Sequence, residues 1–296
     1  MLDLADAGGV AAACGAWRRD GNSIALVPTM GNLHAGHLAL VDRARALAER
    51  VVVSLYVNPT QFGANEDLAS YPRTPVEDRA ALRAAGVDLV YRPAEVEIYP
   101  RGPARAFGVR VPSAYADTLC GTFRPGHFDG VASVVLRLLL QVRPDVAVFG
   151  EKDYQQLLVI RRLVADLRLA VDIEGVPVIR EPDGLAMSSR NRYLTAAQRR
   201  QAPALYRALV AAADALAAGQ VPDEVSRRGV ETIAAAGLRP QYFEVRGADD
   251  LVPAPAAGQA LRVLVAAHAG TTRLIDNIAV PPHPRALANG VDVTEN

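Results

Sequence analysis

His34 and His37 stand three residues apart with Gly36 between them, in the run Val27-Pro28-Thr29-Met30-Gly31-Asn32-Leu33-His34-Ala35-Gly36-His37-Leu38. An apolar stretch, Ile24 to Val27, precedes it, and a helical pattern from Leu38 to Ala44 follows. The spacing predicts a strand, a glycine-bearing turn and a helix N-terminus. Such a turn aims unpaired backbone N–H groups and the positive end of the helix dipole at whatever lies above the strand. Gly31 and Gly36 carry no Cβ, so a ligand can approach the backbone closely. Two imidazoles beside that pocket point to binding of an anion such as a nucleotide phosphate. Half of a zinc site is a competing reading, but zinc takes three or four N or S ligands. The chain has 5 His and 2 Cys, and none of the others is near in sequence. Surface histidines beside a turn are the plainer alternative for either residue alone.

A second run repeats the strand–loop–helix logic: Gly150-Glu151-Lys152-Asp153-Tyr154-Gln155-Gln156, after the apolar Asp145 to Phe149. Of the 32 basic residues, Lys152 alone is lysine. Lysine supplies a compact, flexible point charge where arginine supplies a fixed planar fork. Lys152 therefore reads as a phosphate partner, against the alternative of a chance exception to the arginine bias. Asp153 either caps the following helix or approaches a Mg²⁺ riding on phosphates, since Mg²⁺ prefers one or two carboxylates plus substrate oxygens. Further on, Asp183-Gly184-Leu185-Ala186-Met187-Ser188-Ser189-Arg190-Asn191 follows the strand-like Val176 to Ile179. Two hydroxyls and a bidentate guanidinium form a set of phosphate donors; a capping serine is the competitor.

Two more loops carry polar groups. Gln61, in Asn58-Pro59-Thr60-Gln61-Phe62-Gly63, offers an amide donor and a carbonyl acceptor. That suits a substrate with hydroxyl and carboxylate groups, and equally suits a structural amide tying down its own loop. The loop runs on to Tyr71-Pro72-Arg73-Thr74, a length that fits a lid or binding loop. Arg124 and His127, within Phe123-Arg124-Pro125-Gly126-His127-Phe128-Asp129-Gly130, either meet an anion or are solvated loop residues.

The elements that must position these groups alternate. A lead-in helix is expected over 5–19, strands at Ile24–Val27, Val51–Val57, Val87–Tyr91 and Asp145–Phe149, and helices over 36–49, 79–85, 131–142 and 154–167. Strands alternating with helices predict an α/β fold, a Rossmann-like doubly wound parallel sheet with right-handed crossovers. Beyond Thr195 the order changes to helices over 196–218 and 223–236, then strands at 242–245, 261–267 and 274–280. This predicts a smaller C-terminal α+β domain. The expected division is 1–190, 191–280 and a disordered tail over 281–296.

Composition narrows the function classes. At 50% hydrophobic and 22% charged residues, the 296-residue chain is ordinary globular protein with room for two domains. A net charge of +0 argues against a nucleic-acid footprint. Cys14 and Cys120 are too few for a disulfide framework and fit a reducing compartment. Met1 to Asp6 lacks the basic region of a signal peptide. The most apolar run, Val131 to Val142, is broken by Arg137 and too short to span a bilayer. A soluble cytoplasmic protein with no membrane partner is expected.

His-x-Gly-His at a first strand-to-helix turn resembles the signature of nucleotidylyltransferases and class I aminoacyl-tRNA synthetases, a match at superfamily level. The wider set is more specific. The runs Pro28–His37, Asn58–Phe62, Tyr71–Thr74, Arg124–Phe128, Phe149–Gln156 and Asp183–Asn191, in this order, closely resemble the pantothenate synthetases (pantoate–β-alanine ligases), from about Ile24 to Val280. The lead-in before Ile24 is short for that family, the tail after Val280 looks extra, and Arg137 stands where members usually have lysine. The resemblance implies two steps: adenylation of (R)-pantoate by ATP with loss of pyrophosphate, then attack of the β-alanine amine with loss of AMP.

The resemblance also implies site residues. It puts ATP along Met30, Gly31, Asn32, Leu33, His34, Ala35, Gly36 and His37, on Gly150, Glu151, Lys152 and Asp153, near Ile179, and under Met187, Ser188, Ser189 and Arg190. Pantoate falls to Gln61, Gln156 and Met30, β-alanine to Gln61, and proton donation to His37, with His34, Lys152 and Arg190 as further catalytic groups. ATP with Mg²⁺, held near Asp153, is substrate; no tightly bound organic cofactor is implied. A homodimer is expected, with the Val131–Val142 helix as a candidate surface. A nucleotidylyltransferase would share the first motif without needing Gln61 and Gln156. A nucleotide-binding module without chemistry would leave the single lysine unexplained.

Overall fold

The computed structural model describes residues 1–64, 66–253 and 258–280. The chain divides into two compact units, Met1–Ile179 and Arg180–Asn296. In the first, a six-stranded sheet has the order β1-β4-β3-β2-β5-β6. Its strands are β1 (Leu2–Leu4), β2 (Ile24–Thr29), β3 (Arg50–Leu55), β4 (Leu89–Tyr91), β5 (Val146–Gly150) and β6 (Asp172–Val176). All pairings are parallel. Its helices are α1 (Ala7–Arg19), α2 (Ala35–Leu47), α3 (Pro75–Ala84), the single turns α4 (Glu95–Ile98), α5 (Ser113–Ala116) and α6 (Cys120–Phe123), then α7 (His127–Val142) and α8 (Tyr154–Asp166).

Alternation along β2 explains why helices cover both faces. Ile24 and Leu26 join Val10 and Cys14 of α1, Val131 to Leu139 of α7 and Leu157 and Ile160 of α8 in one core. Ala25 and Val27 join Leu40, Val41 and Ala44 of α2 and Leu82 of α3 in the other. A strand buried on both faces reads as a continuous apolar run, which is why β2 and β3 are legible in the sequence. The winding reverses between β2 and β5, paired at Ala25–Val146 and Leu26–Ala147. In open parallel sheets ligands bind in the crevice beyond the strand ends at such a reversal. The turn after β2 and the loop after β5 stand side by side there.

The second unit holds the antiparallel sheet β7 (Arg239–Gly247), β8 (Leu261–Ala269) and β9 (Thr272–Ala279), in that order. Helices α9 (Ala196–Gln201), α10 (Ala204–Ala217) and α11 (Pro222–Ala235) precede it. Leu205, Leu209, Val225 and Ile233 from α10 and α11 bury against Phe243, Val263 and Val265 of the sheet.

Several boundaries differ from the sequence expectation, each for an identifiable reason. The single helix expected over 196–218 is two, because Pro203 lacks the N–H that would continue the ladder. The strand expected at Val176–Ile179 lies instead at Asp172–Val176, an edge position where Asp172 and Glu174 are tolerated and mask the pattern. Strand β1, absent from the sequence expectation, pairs Leu2 with Leu89. Helix α7 begins at His127, not Val131. The units divide at Ile179/Arg180, whereas composition draws the line near Asn191. Arg180 reaches forward rather than back: its guanidinium bonds both oxygens of Asp276 at 2.6 and 3.0 Å and stacks on Tyr206 at 3.8 Å. The tail expected over 281–296 lies outside the described residues.

Gly229, inside α11, tests this packing. A helix-interior Gly→Ala change ordinarily stabilises by about 1 kcal/mol. Here the added Cβ would overlap the Phe243 ring, and overpacking costs about 1–3 kcal/mol. Gly229→Ala is expected to lower the urea midpoint; a raised midpoint would contradict the α11–β7 packing.

Candidate active site

The turn after β2 is held from within. Gly31 and Asn32 both take positive φ, 80° and 51°, a conformation glycine adopts freely and asparagine tolerates. Gly31 N–H bonds Thr29 Oγ1 at 3.2 Å, and Thr29 Oγ1 in turn donates to the Ser54 carbonyl of β3. Asn32 and Leu33 donate their N–H groups to the two carboxylate oxygens of Asp78, at 2.9 and 2.8 Å. His34 is the N-cap of α2: its Nδ1 accepts from Gly36 N–H at 3.1 Å, and His37 Nδ1 accepts from His34 N–H at 3.3 Å.

This modifies the sequence expectation. The N–H groups of Gly31, Asn32, Leu33, His34 and Gly36 are spent inside the turn. The donors left to it include the two imidazole side chains. Because both Nδ1 atoms accept, the hydrogen-bond pattern assigns each imidazole the neutral form with its proton on Nε2. The electrostatics agree. Burial first, then the Lys152 charge, holds His34 down at about 4. Burial, His34 and Lys152 hold His37 down at about 3. The rings lie 4.1 Å apart, centroid to centroid. The turn thus offers two neutral N–H donors.

Beyond β5, Gly150 leads into a single 3₁₀ turn, Glu151–Asp153, and then α8. Lys152 is largely buried, its Nζ 4.0 Å from Asp153 Oδ2, and close enough to both imidazoles to depress them. Asp153 stands at the N-cap of α8 without a capping bond, its side chain 48% exposed. Its carboxylate is therefore open to an incoming cation rather than committed to the helix. Among the described residues no group of three or more His, Cys, Asp or Glu could hold a metal. A single carboxylate fits a Mg²⁺ carried in on phosphates, which needs no protein cage.

Gln61 lies in a short 3₁₀ turn, Pro59–Gln61. Its Nε2 reaches Met30 Sδ at 3.1 Å and its Oε1 accepts from Asn58 Nδ2, also 3.1 Å. The buried Asn58 side chain ties this turn to Gly130 O, Thr60 Oγ1 and Tyr99 Oη. A Cβ on Gly130 would overlap the Thr60 carbonyl, so glycine is what lets α7 approach. Arg124 and His127 resolve as neither anion site nor solvated residues. His127 Nδ1 donates to the Gln61 carbonyl at 2.8 Å and its Nε2 accepts from Arg124 Nη1 at 3.0 Å, while Arg124 pairs with Glu66 at 2.6 Å. Burial, then Arg124, lowers His127 to about 4.

Gln156 is half-buried on α8, beside Gln155, whose side chain is committed to Cys120 N–H and the carbonyls of Tyr115 and Thr118. Met30, Leu33 and Gly36 are half-buried and Ala35 exposed. Ile179 ends the first unit. Met187, Ser188, Ser189 and Arg190 belong to the second, all half-buried. There Ser188 Oγ caps a 3₁₀ turn, Ser189–Tyr193, by accepting from Arg190 N–H. Ser188 Oγ is therefore engaged in capping, the competing role the sequence allowed for it. Within the first unit the fold brings together Met30, His34, His37, Lys152, Asp153 and Gln61. Asp78, the anchor of the turn, is not legible in the sequence; an acid in the first turn of a helix after Pro75 signals only helix polarity.

A doubly wound α/β sheet with donors and a lysine at its winding reversal has the layout of a nucleotide-binding enzyme. Residues 4–279 match the family described as pantoate-beta-alanine ligase. The pantothenate synthetase of Chromohalobacter salexigens is 55% identical over 95% of this chain and 99% of its own. That of Paramagnetospirillum magneticum is 56% identical over 90% of this chain and 94% of its own. The crystal structure of pantothenate synthetase from Thermus thermophilus superposes with a TM-score of 0.88 at 45% identity, covering 95% of this chain and 100% of that one. The Francisella tularensis pantoate-beta-alanine ligase, solved with beta-gamma ATP and beta-alanine, gives 0.79 at 32% identity, covering 94% and 97%. The chain belongs to the pantoate–β-alanine ligase family and is an ATP-dependent ligase.

The three depressed imidazoles carry a stability signature. Each titrates below its ordinary 6.5, so between about 6.5 and 4 the unfolded chain binds protons that the folded chain refuses. Their contribution is present above pH 6.5 and lost as pH falls through the folded values. Urea midpoints are expected to drop between about pH 7 and pH 4, and His127→Gln to flatten the drop. A His127→Gln profile parallel to wild type would contradict the assignment.

Proposed function

We propose that this chain condenses (R)-pantoate with β-alanine, consuming ATP and releasing pyrophosphate and AMP by way of a pantoyl adenylate. The observation that carries the reading is the contact of Gln61 Nε2 with Met30 Sδ. It joins an amide suited to a carboxylate to the first residue of a turn suited to phosphates. Adenylation needs that adjacency, because two anions must be held together against their repulsion.

In the first half-reaction a pantoate carboxylate oxygen attacks the α-phosphorus and the bond to pyrophosphate breaks. Gln61 and Gln156 orient the pantoate, with Met30 against it. Charge growing on the leaving pyrophosphate is met by Lys152 and by the Nε2–H groups of His34 and His37. His37 serves as a neutral hydrogen-bond donor, since its depressed titration leaves it unprotonated near neutral pH. A Mg²⁺ bound with ATP would neutralise phosphate charge, and Asp153 is the carboxylate that would hold it. In the second half-reaction the β-alanine amine, beside Gln61, attacks the acyl carbonyl, and AMP leaves as the amide forms and the amine sheds a proton. No residue becomes covalently attached and no organic cofactor is required. The loop from Asn58 to Thr74 shields the adenylate from water; Glu66 and the buried Tyr71 hold it down. The nucleotidylyltransferase alternative leaves Gln61 and Gln156 without a role.

We further propose a cytoplasmic homodimer. Both cysteines are free, which supports a reducing compartment. No helix among the described residues is long and apolar enough to cross a membrane. Helix α7 spends most of its apolar side on its own core, leaving Leu140, 55% exposed, for a partner. Light scattering at micromolar protein that returns the 31.5 kDa of one chain would refute the dimer.

Enzyme, ATP, Mg²⁺ and pantoate are expected to exchange labelled pyrophosphate into ATP without β-alanine, and omission of pantoate to abolish the exchange. His37→Gln, which keeps an N–H donor, should retain at least about tenfold more exchange than His37→Ala, whose loss is expected on the order of 10²-fold. Exchange that requires β-alanine would rule out the free adenylate; equal losses in the two variants would rule out the neutral-donor role.

A further inference from the structure

Asp78 sits in the first turn of α3 and is 4% exposed. Its carboxylate accepts from Asn32 N–H at 2.9 Å, Leu33 N–H at 2.8 Å and Thr74 Oγ1 at 3.1 Å. It therefore joins three segments: the phosphate turn, the end of the Asn58–Thr74 loop, and α3. We propose that Asp78 is a positioning residue for the phosphate turn, holding Gly31 and Asn32 left-handed and thereby setting where Met30, His34 and His37 stand.

The physical case has three parts. The left-handed conformation is less populated than the right-handed one even for asparagine, which tolerates it, and Asn32 keeps φ at 51° in a buried turn. Something must hold it there, and the two bonds to Asp78 fall on Asn32 itself and on the next residue. Successive backbone N–H groups in a turn form a concave anion site. Here that concavity is filled by the protein's own carboxylate, so it points at α3 and leaves the ligand side to Nε2–H donors and Lys152. Third, the turn is closely fitted to this carboxylate: a Cβ on Gly31 would stand 2.9 Å from Asp78 Oδ2. The same turn continues without a break into the His34 N-cap and its reciprocal bonds with His37. A shift at Asn32 is thus carried to both imidazoles and to the Met30–Gln61 contact. Displacing catalytic groups by about 1 Å costs on the order of 10²-fold in rate.

The role in catalysis rests on the ligase reading above, so the experiment has one arm that does not. Asp78→Asn is nearly isosteric but turns one acceptor into a donor facing a backbone N–H. In the unliganded variant, amide hydrogen exchange followed by NMR should accelerate at least about tenfold at Asn32 and Leu33, with Val52 and Val53 of β3 unchanged. In pantoate-dependent pyrophosphate exchange kcat should fall on the order of 10²-fold, with KM for ATP within about threefold. Asp78→Glu, which keeps both acceptors one methylene further out, should recover at least about tenfold of that loss. Unchanged exchange at Asn32 and Leu33 overturns the proposal, as does uniform acceleration including Val52 and Val53, which marks a merely structural role. Local acceleration with kcat within about threefold also overturns it. Wild-type protein without pyrophosphate exchange would instead sink the ligase reading and leave the amide result standing.

Discussion

Strand β2 pairs with β3 along one edge and with β5 along the other, and its side chains are buried on both faces. A strand so confined cannot slip by one residue without exchanging its two cores. Its C-terminal end at Thr29 is therefore a fixed point. The turn carrying Met30 to His37 starts from it, and the loop carrying Lys152 starts from the neighbouring end of β5. Helices wound onto opposite faces on either side of this pair leave the crevice open where these two loops emerge. The site is a consequence of where one buried strand stops.

What lines that crevice is electrostatically economical. Two imidazoles 4.1 Å apart beside a lysine would repel if charged. Burial and that neighbouring charge keep both neutral, and their Nδ1 atoms close the helix N-terminus, so each turns an N–H outward. The cation is concentrated at Lys152, on a flexible stem rather than a fixed planar fork. The negative charge of Asp78 is placed behind the turn, where it organises the backbone without facing the ligand. A second layer works around Gln61. Asn58, His127 and Arg124 fix the Gln61 turn through its carbonyl and side chain, and Glu66 ties the loop beyond it to the same arginine.

The parts legible in the sequence are those with local causes. Continuous apolar runs announce β2, β3 and β5, and glycine and histidine at short spacing announce the strand-to-helix turn after β2. The lone lysine among arginines, and Gln61 at the head of a long loop, need only their neighbours to be noticed. The start of a helix beyond Thr195 is equally readable, and the structure adds a capping box between Thr195 and Gln198. Strand β6 is misplaced by a sequence reading because edge residues answer to solvent as well as to the sheet. The long C-terminal helix is overextended because alanine bias hides the break at Pro203.

By itself the sequence determined the family and the α/β order, since these follow from residue types at short spacing. Tertiary structure decided the protonation and the supports. Asp78 lies 46 residues from Asn32, and His127 lies 66 from Gln61, so neither bond leaves a periodic trace. That the turn's amides face inward, and that its histidines are neutral donors, depends on burial and on charges brought close only by the parallel pairing of β2 with β5. Hydrogen-bond partners and desolvation are properties of distance in space, and a linear order of residues does not contain them.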